Sequence, residues 1–415
     1  MAVNPIRHAS AVKPRIYPYN GDVAPQDVNR LQVFNGSVTT PSDAVYEIGR
    51  LLKMADDTKI SEQTTSMTQL EYGQLENFLA LANLAAKPVG GLQLSDFDNS
   101  LVDIVSLGKD KYQGNLEQTL WLPKAVLDAF TLSVADSDAR IERQFTLKGD
   151  FYRILRYDNK NFIYKKFVCA TGDTPTMTLS VADPVPVVDP NYGTTSTYIA
   201  RILKVSGGTT VELAYGTDYT FNPGTNNITI LASTVGDIYK VYYTASSFGT
   251  AGDPTSLNDI DDYFLKAENL QVYLTDGVTT VKLDILTSLN ITATWNRINE
   301  GVIGQHEKIL KSAKDHSVTV ALNGRVKNAT IEEVLMGKAG QNWGILDVDL
   351  FIKNASLIVK VFNENSHTNF LIGYRVNKLI IDTTAINTPV NDYLTSNVNL
   401  KSDEMIISDS EADLA

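Results

Sequence analysis

Residues Ser317–Gly340 read SVTVALNGRVKNATIEEVLMGKAG. Val318, Val320 and Leu322 alternate with Thr319 and Ala321, the period of a half-buried strand. Asn323-Gly324 predicts a tight turn, because both residue types tolerate positive φ. Thr330 and Glu333 have capping-box spacing, so a helix is expected from Ile331, with Val334 and Leu335 on its apolar face. A fainter version of the same unit occurs near the start. Thr64–Ala86, TTSMTQLEYGQLENFLALANLAA, offers strand-like residues, a turn at Gly73 and an apolar helix over Gln74–Ala86. An echo of this kind predicts a duplicated chain.

Further matches fall in the same order. Arg15–Gly21 (RIYPYNG) parallels Gln271–Gly277 (QVYLTDG), and Gly73 parallels Gly324. Ser100–Val105 (SLVDIV) parallels Ser356–Val361 (SLIVKV), and Leu147–Asp150 (LKGD) parallels Leu400–Asp403 (LKSD). Every partner lies about 250 positions downstream, the mark of a long internal repeat. Between the halves, Thr171–Gly252 is rich in Thr, Gly, Pro, Val and Tyr and poor in helix formers, with strands expected at Tyr215–Asn222, Asn227–Leu231 and Ile238–Thr244. That spacing suits a small β-sandwich. The expected fold class is mainly β with a few short helices (α+β). The expected domains are a first half over residues 1–170 with an N-terminal arm, an inserted β-sandwich over 171–252, and a second half over 253–415.

Other segments carry their own expectations. Met1–Pro18, with three prolines, reads as an extended arm. Ser42–Met54 fits a short helix slightly better than a strand. A strand pair within Phe130–Leu147 turns at Asp136-Ser137-Asp138. Asn299–His316 reads as a long polar loop, and the C-terminal SDSEADLA as a loose acidic tail.

The 415 residues, 43% hydrophobic and 20% charged, describe ordinary globular material. A formal net charge of −12 argues against an external nucleic-acid binder, which needs a basic face. The one cysteine, Cys169, excludes an internal disulfide framework and sits in an apolar run that predicts a buried thiol. The N-terminus has no apolar stretch of signal-peptide type, and no run of 18 apolar residues is present to span a membrane as a helix. The four histidines, His8, His306, His316 and His367, have no metal-ligand spacing, and Asp259–Asp262 lacks the glycine and distal glutamate of a calcium loop. Phosphate-loop and nucleophile-elbow patterns are missing. The expectation is a non-enzymatic protein with no cofactor and no metal.

The second half resembles bacteriophage tail tube proteins. The resemblance rests on SLNITATW (Ser288–Trp295), the loop Asn299–His316, HSVTVALNGRVKNATIEEVLMG and the late NTPVNDYLTSNVNL. The first half is similar through YEIGRLL, TTSMTQLEYGQLENFLALAN and LPKAVLDAFTLSVADSDARIERQFTLKGD. The resemblance implies β-sandwich or barrel halves with a flanking helix and an immunoglobulin-like outer decoration. It also implies a ring of the protein itself, a trimer of duplicated folds mimicking a hexamer, or a hexamer. Such rings stack into a hollow conduit, join other tail proteins, and let DNA pass without specific binding; no membrane partner is implied. The place of action would be the virion tail, after synthesis in the host bacterial cytoplasm. The candidate inter-ring loop comprises Asn299, Glu300, Gly301, Gln305, His306, Lys308 and Lys311. Asp347 and Asp349, alternating with Leu346, Val348 and Leu350, are candidate lumen-facing acids, with an ordinary solvated face as the alternative. The rival functional reading is a tail, baseplate or adhesin module that binds cell-wall carbohydrate through the insert, where Tyr192, Tyr198, Tyr215, Tyr219, Tyr242 and Tyr243 could supply an aromatic platform.

Overall fold

The computed structural model describes residues 12–39, 42–45, 55–58, 62–109, 116–149, 153–156, 161–170, 176–178, 199–222, 224–245, 265–284, 286–297, 300–301, 308–310, 313–325, 330–336, 355–364, 366–387 and 395–415. The first part contains β1 (Val12–Pro18), β2 (Gln26–Asp27), β3 (Leu31–Thr39), β4 (Ser42–Val45), β5 (Ala55–Thr58), β6 (Glu62–Leu70), α1 (Glu76–Ala82), β7 (Leu92–Gln93), β8 (Val102–Lys109), β9 (Leu116–Val134), β10 (Glu142–Gly149) and β11 (Arg153–Arg156). There follow β12 (Asn161–Val168), β13 (Thr176–Thr178), β14 (Ile199–Ser206), β15 (Thr209–Glu212), β16 (Tyr219–Asn222), β17 (Asn227–Ile230) and β18 (Ile238–Ala245). The last part holds β19 (Leu270–Thr275), β20 (Thr280–Lys282), β21 (Leu286–Arg297), β22 (Glu300–Gly301), β23 (Lys308–Leu310), β24 (Ala313–Arg325), α2 (Thr330–Leu335), β25 (Ala355–Phe362), β26 (Phe370–Asn387), β27 (Thr395–Ser402) and β28 (Glu404–Ser408). The protein is mainly β, as the alternating patterns predict.

The pairing scheme of the first part recurs in the last. In the first, β2 pairs β1, β1 pairs β8, and β8 pairs the leading half of β9. The trailing half of β9 pairs β10, β10 pairs β6, and β6 pairs β3. In the last, β20–β19–β25–β26 and then β26–β27–β24–β21 repeat every step. β11 lies beside β9 as β28 lies beside β26. Each repeat therefore owns one long strand that passes from an outer sheet to a central sheet. The crossing point is a left-handed residue in both, Lys124 (φ 51) and Lys378 (φ 50). Four residues further on, each long strand carries a register shift and an aspartate paired to a lysine on the next strand, Asp128 with Lys148 and Asp382 with Lys401. A β-bulge adds local twist and bend, which is how one strand serves two sheets.

This equivalence of the repeats corrects two of the sequence matches. LKGD and LKSD are equivalent, because Lys148 and Lys401 occupy the same place. Gly73 and Gly324 are not: Gly73 (φ 77) lies in the connector before α1, whereas Gly324 is inside β24, opposite both Leu286 and Ser396. Nor does Asn323-Gly324 form a hairpin turn. β24 runs through it because β21 and β27 satisfy its backbone on both sides, and a two-sided ladder outweighs a local turn preference. Val105 of SLVDIV faces Trp121 and Ile358 of SLIVKV faces Arg375, so those two stretches correspond with a shift from the sequence match.

α2 forms where expected and begins at Thr330, one residue before the expected Ile331. α1 is shorter than Gln74–Ala86, because Asn83 takes a left-handed conformation (φ 58) and ends it. Ser42–Val45 is a strand paired with β5 rather than a helix; apolar spacing over so few residues cannot separate the two. Val12–Pro18, expected in an arm, is a strand between β2 and β8, and residues 1–11 lie outside the described residues. The loop expected over Asn299–His316 contains the pair β22–β23, and Ala313–His316 already belongs to β24. The tail is docked rather than loose. Leu414 is buried, Lys87 holds Asp409 (3.0 Å) and Asp413 (2.5 Å), and Lys360 holds Glu411 (2.5 Å).

One core fills the space between the central and outer sheets, plugged by Phe78 and Leu81 of α1 and by Val334 and Leu335 of α2. The intervening module has two sheets, β12-β18-β14-β15 and β13-β17-β16. They share their own core of Ile163, Ile202, Phe221, Ile228, Val241 and neighbours, with Cys169 buried in it as expected. β12, which precedes the composition shift at Thr171, is paired along its length with β18.

Candidate assembly interface

The two repeats meet in a long antiparallel seam, and again in a short one where β28 pairs β7, Ile407 opposite Leu92. Trailing β9 pairs β21, with Thr131 opposite Thr292 and Phe130 opposite Ala293. The result is a central sheet ordered β3-β6-β10-β9-β21-β24-β27-β26. Among the described residues its two outermost members have no further strand beside them, and they are the counterparts of the seam. One row of facing residues reads Phe34–Met67–Phe145–Phe130 in the first repeat and Leu289–Leu322–Val398–Thr384 in the second. Edge β3 thus corresponds to β21, and the end of β26 corresponds to β9. Along the edges Asn35, Gly36, Ser37, Thr383, Thr384 and Ala385 are exposed. The apolar Val33 and Ile380, 41% and 51% exposed, also lie there. A long edge with free backbone groups is a template for another strand.

Behind the seam lies a buried polar lock. Glu71 Oε1 accepts from the backbone N–H groups of Tyr72 (2.9 Å) and Gly73 (2.8 Å) and from Arg143 Nη1 (3.3 Å). Glu71 Oε2 accepts from the Tyr374 hydroxyl of the other repeat at 2.7 Å. Arg143 also donates to Gln69 Oε1 (2.8 Å) and the Gln74 carbonyl (2.9 Å), and its guanidinium lies 4.6 Å from the Tyr72 ring centre. Glu71, Arg143 and Tyr374 are all fully buried. Burial, then the Glu71 carboxylate, pushes the Tyr374 hydroxyl well above its ordinary range, so it stays a donor. Trp295 Nε1 donates to the Leu94 carbonyl (3.0 Å), and Arg297 reaches the carbonyls of Phe97, Asp98 and Leu127. Burial lowers the Arg297 pKa to about 10, which leaves it charged at neutral pH. Gly73 completes the fit: a Cβ there would come within 2.5 Å of Leu371.

The outer sheet of the first repeat carries the module. Its inward residues Ile16, Ile104 and Leu122 join the main core, while the alternate residues Tyr17, Val105 and Trp121 face outward and pack with Leu203 and Tyr242. Arg201 of β14 forms a buried ion pair with Asp103 of β8 and lies 5.2 Å from the Trp121 ring centre. Lys240 Nζ donates to the carbonyls of Pro18 (2.9 Å), Tyr19 (3.3 Å) and Asn20 (3.4 Å). Burial, aided by Lys166 and Arg201, lowers the Lys240 pKa to about 8. On the second repeat the counterpart face is taken by the C-terminal segment. Leu414 lies over Gly373, and Arg375 donates to the carbonyls of Leu414 (3.2 Å) and Ala415.

Of the candidate residues named from the sequence, Glu300, Gly301 and Lys308 fall in the β22–β23 pair. Asn299, Gln305, His306, Lys311, Asp347 and Asp349 lie outside the described residues, as do Tyr192 and Tyr198. Tyr219, Tyr242 and Tyr243 are buried and so are not part of an exposed aromatic platform; Tyr215 is 40% exposed. Sequence reading missed Glu71, Arg143, Asp103, Arg201 and the repeated Asp–Lys pairs. A signal for the last was present: Lys124 and Asp128 have the same spacing as Lys378 and Asp382. Among the described residues no group of three or more His, Cys, Asp or Glu could hold a metal, and no helix is long and apolar enough to cross a membrane.

No family model matches the chain, and a search of the curated proteins finds no match. Solved structures do show similarity. A chain of the anti-feeding prophage baseplate aligns with 38% of this protein and 98% of itself, at 11% identity and a TM-score of 0.29. A chain of the sheath–tube complex of an extracellular contractile injection system aligns over 36% and 94%, at 15% identity and a TM-score of 0.27. A chain of the anti-feeding prophage tube-terminating cap aligns over 39% and 98%, at 16% identity and a TM-score of 0.25.

Proposed function

We propose that this protein is a structural, non-enzymatic subunit of a phage-type tail tube, which forms rings that stack into a hollow conduit for DNA. The observation that carries the proposal is the seam. The chain joins its own repeats through β9 and β21 and leaves the equivalent pair, β26 and β3, at opposite ends of one sheet. Head-to-tail addition repeats that seam between copies, with Ala385 facing Ser37 as Thr131 faces Thr292. A heterologous interface of this kind closes into a ring when its rotation allows. Three chains would supply six repeats. Residues 1–170, apart from β12 and Cys169, which belong with the module, and residues 253–415 act as the two tube halves, and the module expected over 171–252 decorates the outside together with β12. The segment from Asn299 to Lys311 contacts the next ring. The site of action is the virion tail, beside other tail proteins.

Negative-stain electron microscopy of the purified protein tests this reading. Rings or tubes are expected. Ser37→Glu should abolish them, and adding Ala385→Lys should restore them, because opposite charges across a strand pair attract and like charges repel. A wild-type chain that remains monomeric at high concentration refutes the proposal.

A further inference from the structure

The two repeats touch in two layers. In the central sheet β9 pairs β21. In the outer layer β28 of the second repeat takes β7 of the first, with Ile407 opposite Leu92 and Ile406 opposite Gln93. The chain entering β7 runs close against β28. A Cβ on Gly91 (φ 87) would lie 2.7 Å from the Ile406 side chain and 3.0 Å from the Ile407 carbonyl oxygen. Glycine, with no Cβ, permits that approach.

β28 has a counterpart in the first repeat. β11 lies on β9 with Ile154 opposite Leu120, and β28 lies on β26 with Ile407 opposite Tyr374. Leu120 stands as far before the left-handed Lys124 as Tyr374 stands before Lys378, so Ile154 is the equivalent of Ile407. β28 has a strand on each side, β26 and β7. Among the described residues β11 has a strand on one side, β9. An edge of this kind presents backbone groups that another strand can pair.

Spacing in the sequence names the strand that fits. Val105 and Ile358 hold equivalent places, opposite Trp121 and Arg375. Gly344-Ile345 stands as far before Ile358 as Gly91-Leu92 stands before Val105. Gly344–Leu346 lie outside the described residues, and the match is one of sequence.

Resting on the ring reading above, we infer that the far edge of β11 is a second docking strand between copies. It takes the Gly344–Leu346 segment of the neighbour whose β26 meets β3. Within the chain, β28 draws β7 from the preceding repeat; for β11 the preceding repeat is the second repeat of that neighbour. An extended segment added to an open edge gains main-chain hydrogen bonds. The consequence is mechanical. One strand pair is a line about which two copies can turn. A second pair in the other layer fixes the angle between them, and that angle decides whether head-to-tail copies close into a ring or run on as a helix.

Cysteine cross-linking tests this, in a Cys169→Ser background. Ser37→Cys/Ala385→Cys, on the edges of the central sheet, reports the ring contact itself. Ile154→Cys/Ile345→Cys reports the outer contact. In assembled protein a short bis-maleimide should join both pairs between chains, read as covalent ladders on a denaturing gel. Neither ladder should form once dilution has dispersed the assembly. A mixture of the single variants Ile154→Cys and Ile345→Cys should give covalent dimers and nothing larger, because each chain then has one thiol. A Ser37→Cys/Ala385→Cys ladder with no interchain product from Ile154→Cys/Ile345→Cys overturns this inference and leaves the ring reading standing. Absence of both ladders, with no rings by microscopy, sinks the ring reading and this inference with it.

Discussion

Tyr374→Phe isolates one of the bonds that tie the two repeats together behind the seam. The substitution removes one oxygen and changes little in shape. The lost contact is a hydroxyl donating to a carboxylate at 2.7 Å, between two fully buried residues. A hydrogen bond to a charged group contributes about 1.5–3 kcal/mol, and the buried acceptor left behind adds its desolvation cost. The three donors on Oε1 remain, so the loss should lie near 2 kcal/mol rather than at the higher figure for a fully stranded charge. Glu71→Gln strands Arg143 instead and should cost about 3–5 kcal/mol, the range for breaking a buried ion pair. Because both changes act on one network, the double variant should fall short of the sum by at least about 1 kcal/mol. Urea titration followed by far-ultraviolet circular dichroism at neutral pH supplies all three values. If Tyr374→Phe costs under about 0.5 kcal/mol, or the pair is additive, the network does not hold the repeats together.

Further consequences follow from other sites. Arg201→Met leaves Asp103 buried without its cation; it should cost about 3–5 kcal/mol and loosen the module, read as a red shift of Trp121 fluorescence. Lys240, with its folded pKa lowered to about 8, releases its proton before the unfolded chain does. Between that value and the ordinary lysine pKa the unfolded state binds more protons, so this group makes stability rise with pH. Lys240→Met should remove that rise, measured as the wild-type minus variant difference in urea midpoint at pH 7.5 and pH 10. Gly73→Ala combines a left-handed backbone, costing about 1–2 kcal/mol for an L residue, with overpacking against Leu371 at about 1–3 kcal/mol. Its thermal midpoint should drop by several degrees, while Gly90→Ala, whose Cβ would meet nothing within 4 Å, should drop less.

Much of the architecture was legible in the sequence because period and turn chemistry are local. Val318, Val320 and Leu322 announced a strand, and the capping-box spacing of Thr330 and Glu333 a helix; both form. The repeat was legible too, through LKGD and LKSD. What misled the reading was also local. Asn323-Gly324 carries a turn signal, but the residues that suppress the turn, Ser288 and Asn397 on either side, are remote in sequence. The equivalence of Lys124 with Lys378 rests on two residues and a backbone conformation, too little for a sequence match to find unaided.

Periodicity, order and composition were enough for the fold class, the duplication and a different module between the halves, since all three are properties of the chain read in line. How the repeats are joined, which strands remain as edges and which sheet face stays open came from the folded molecule. Those facts depend on pairings between distant residues. Thr131 meets Thr292, and Glu71 meets Tyr374, only after the chain has crossed from one repeat to the other. The polar alternation of β9 and β21 says that each has a wet face. That these faces are one continuous surface is a property of the closed seam.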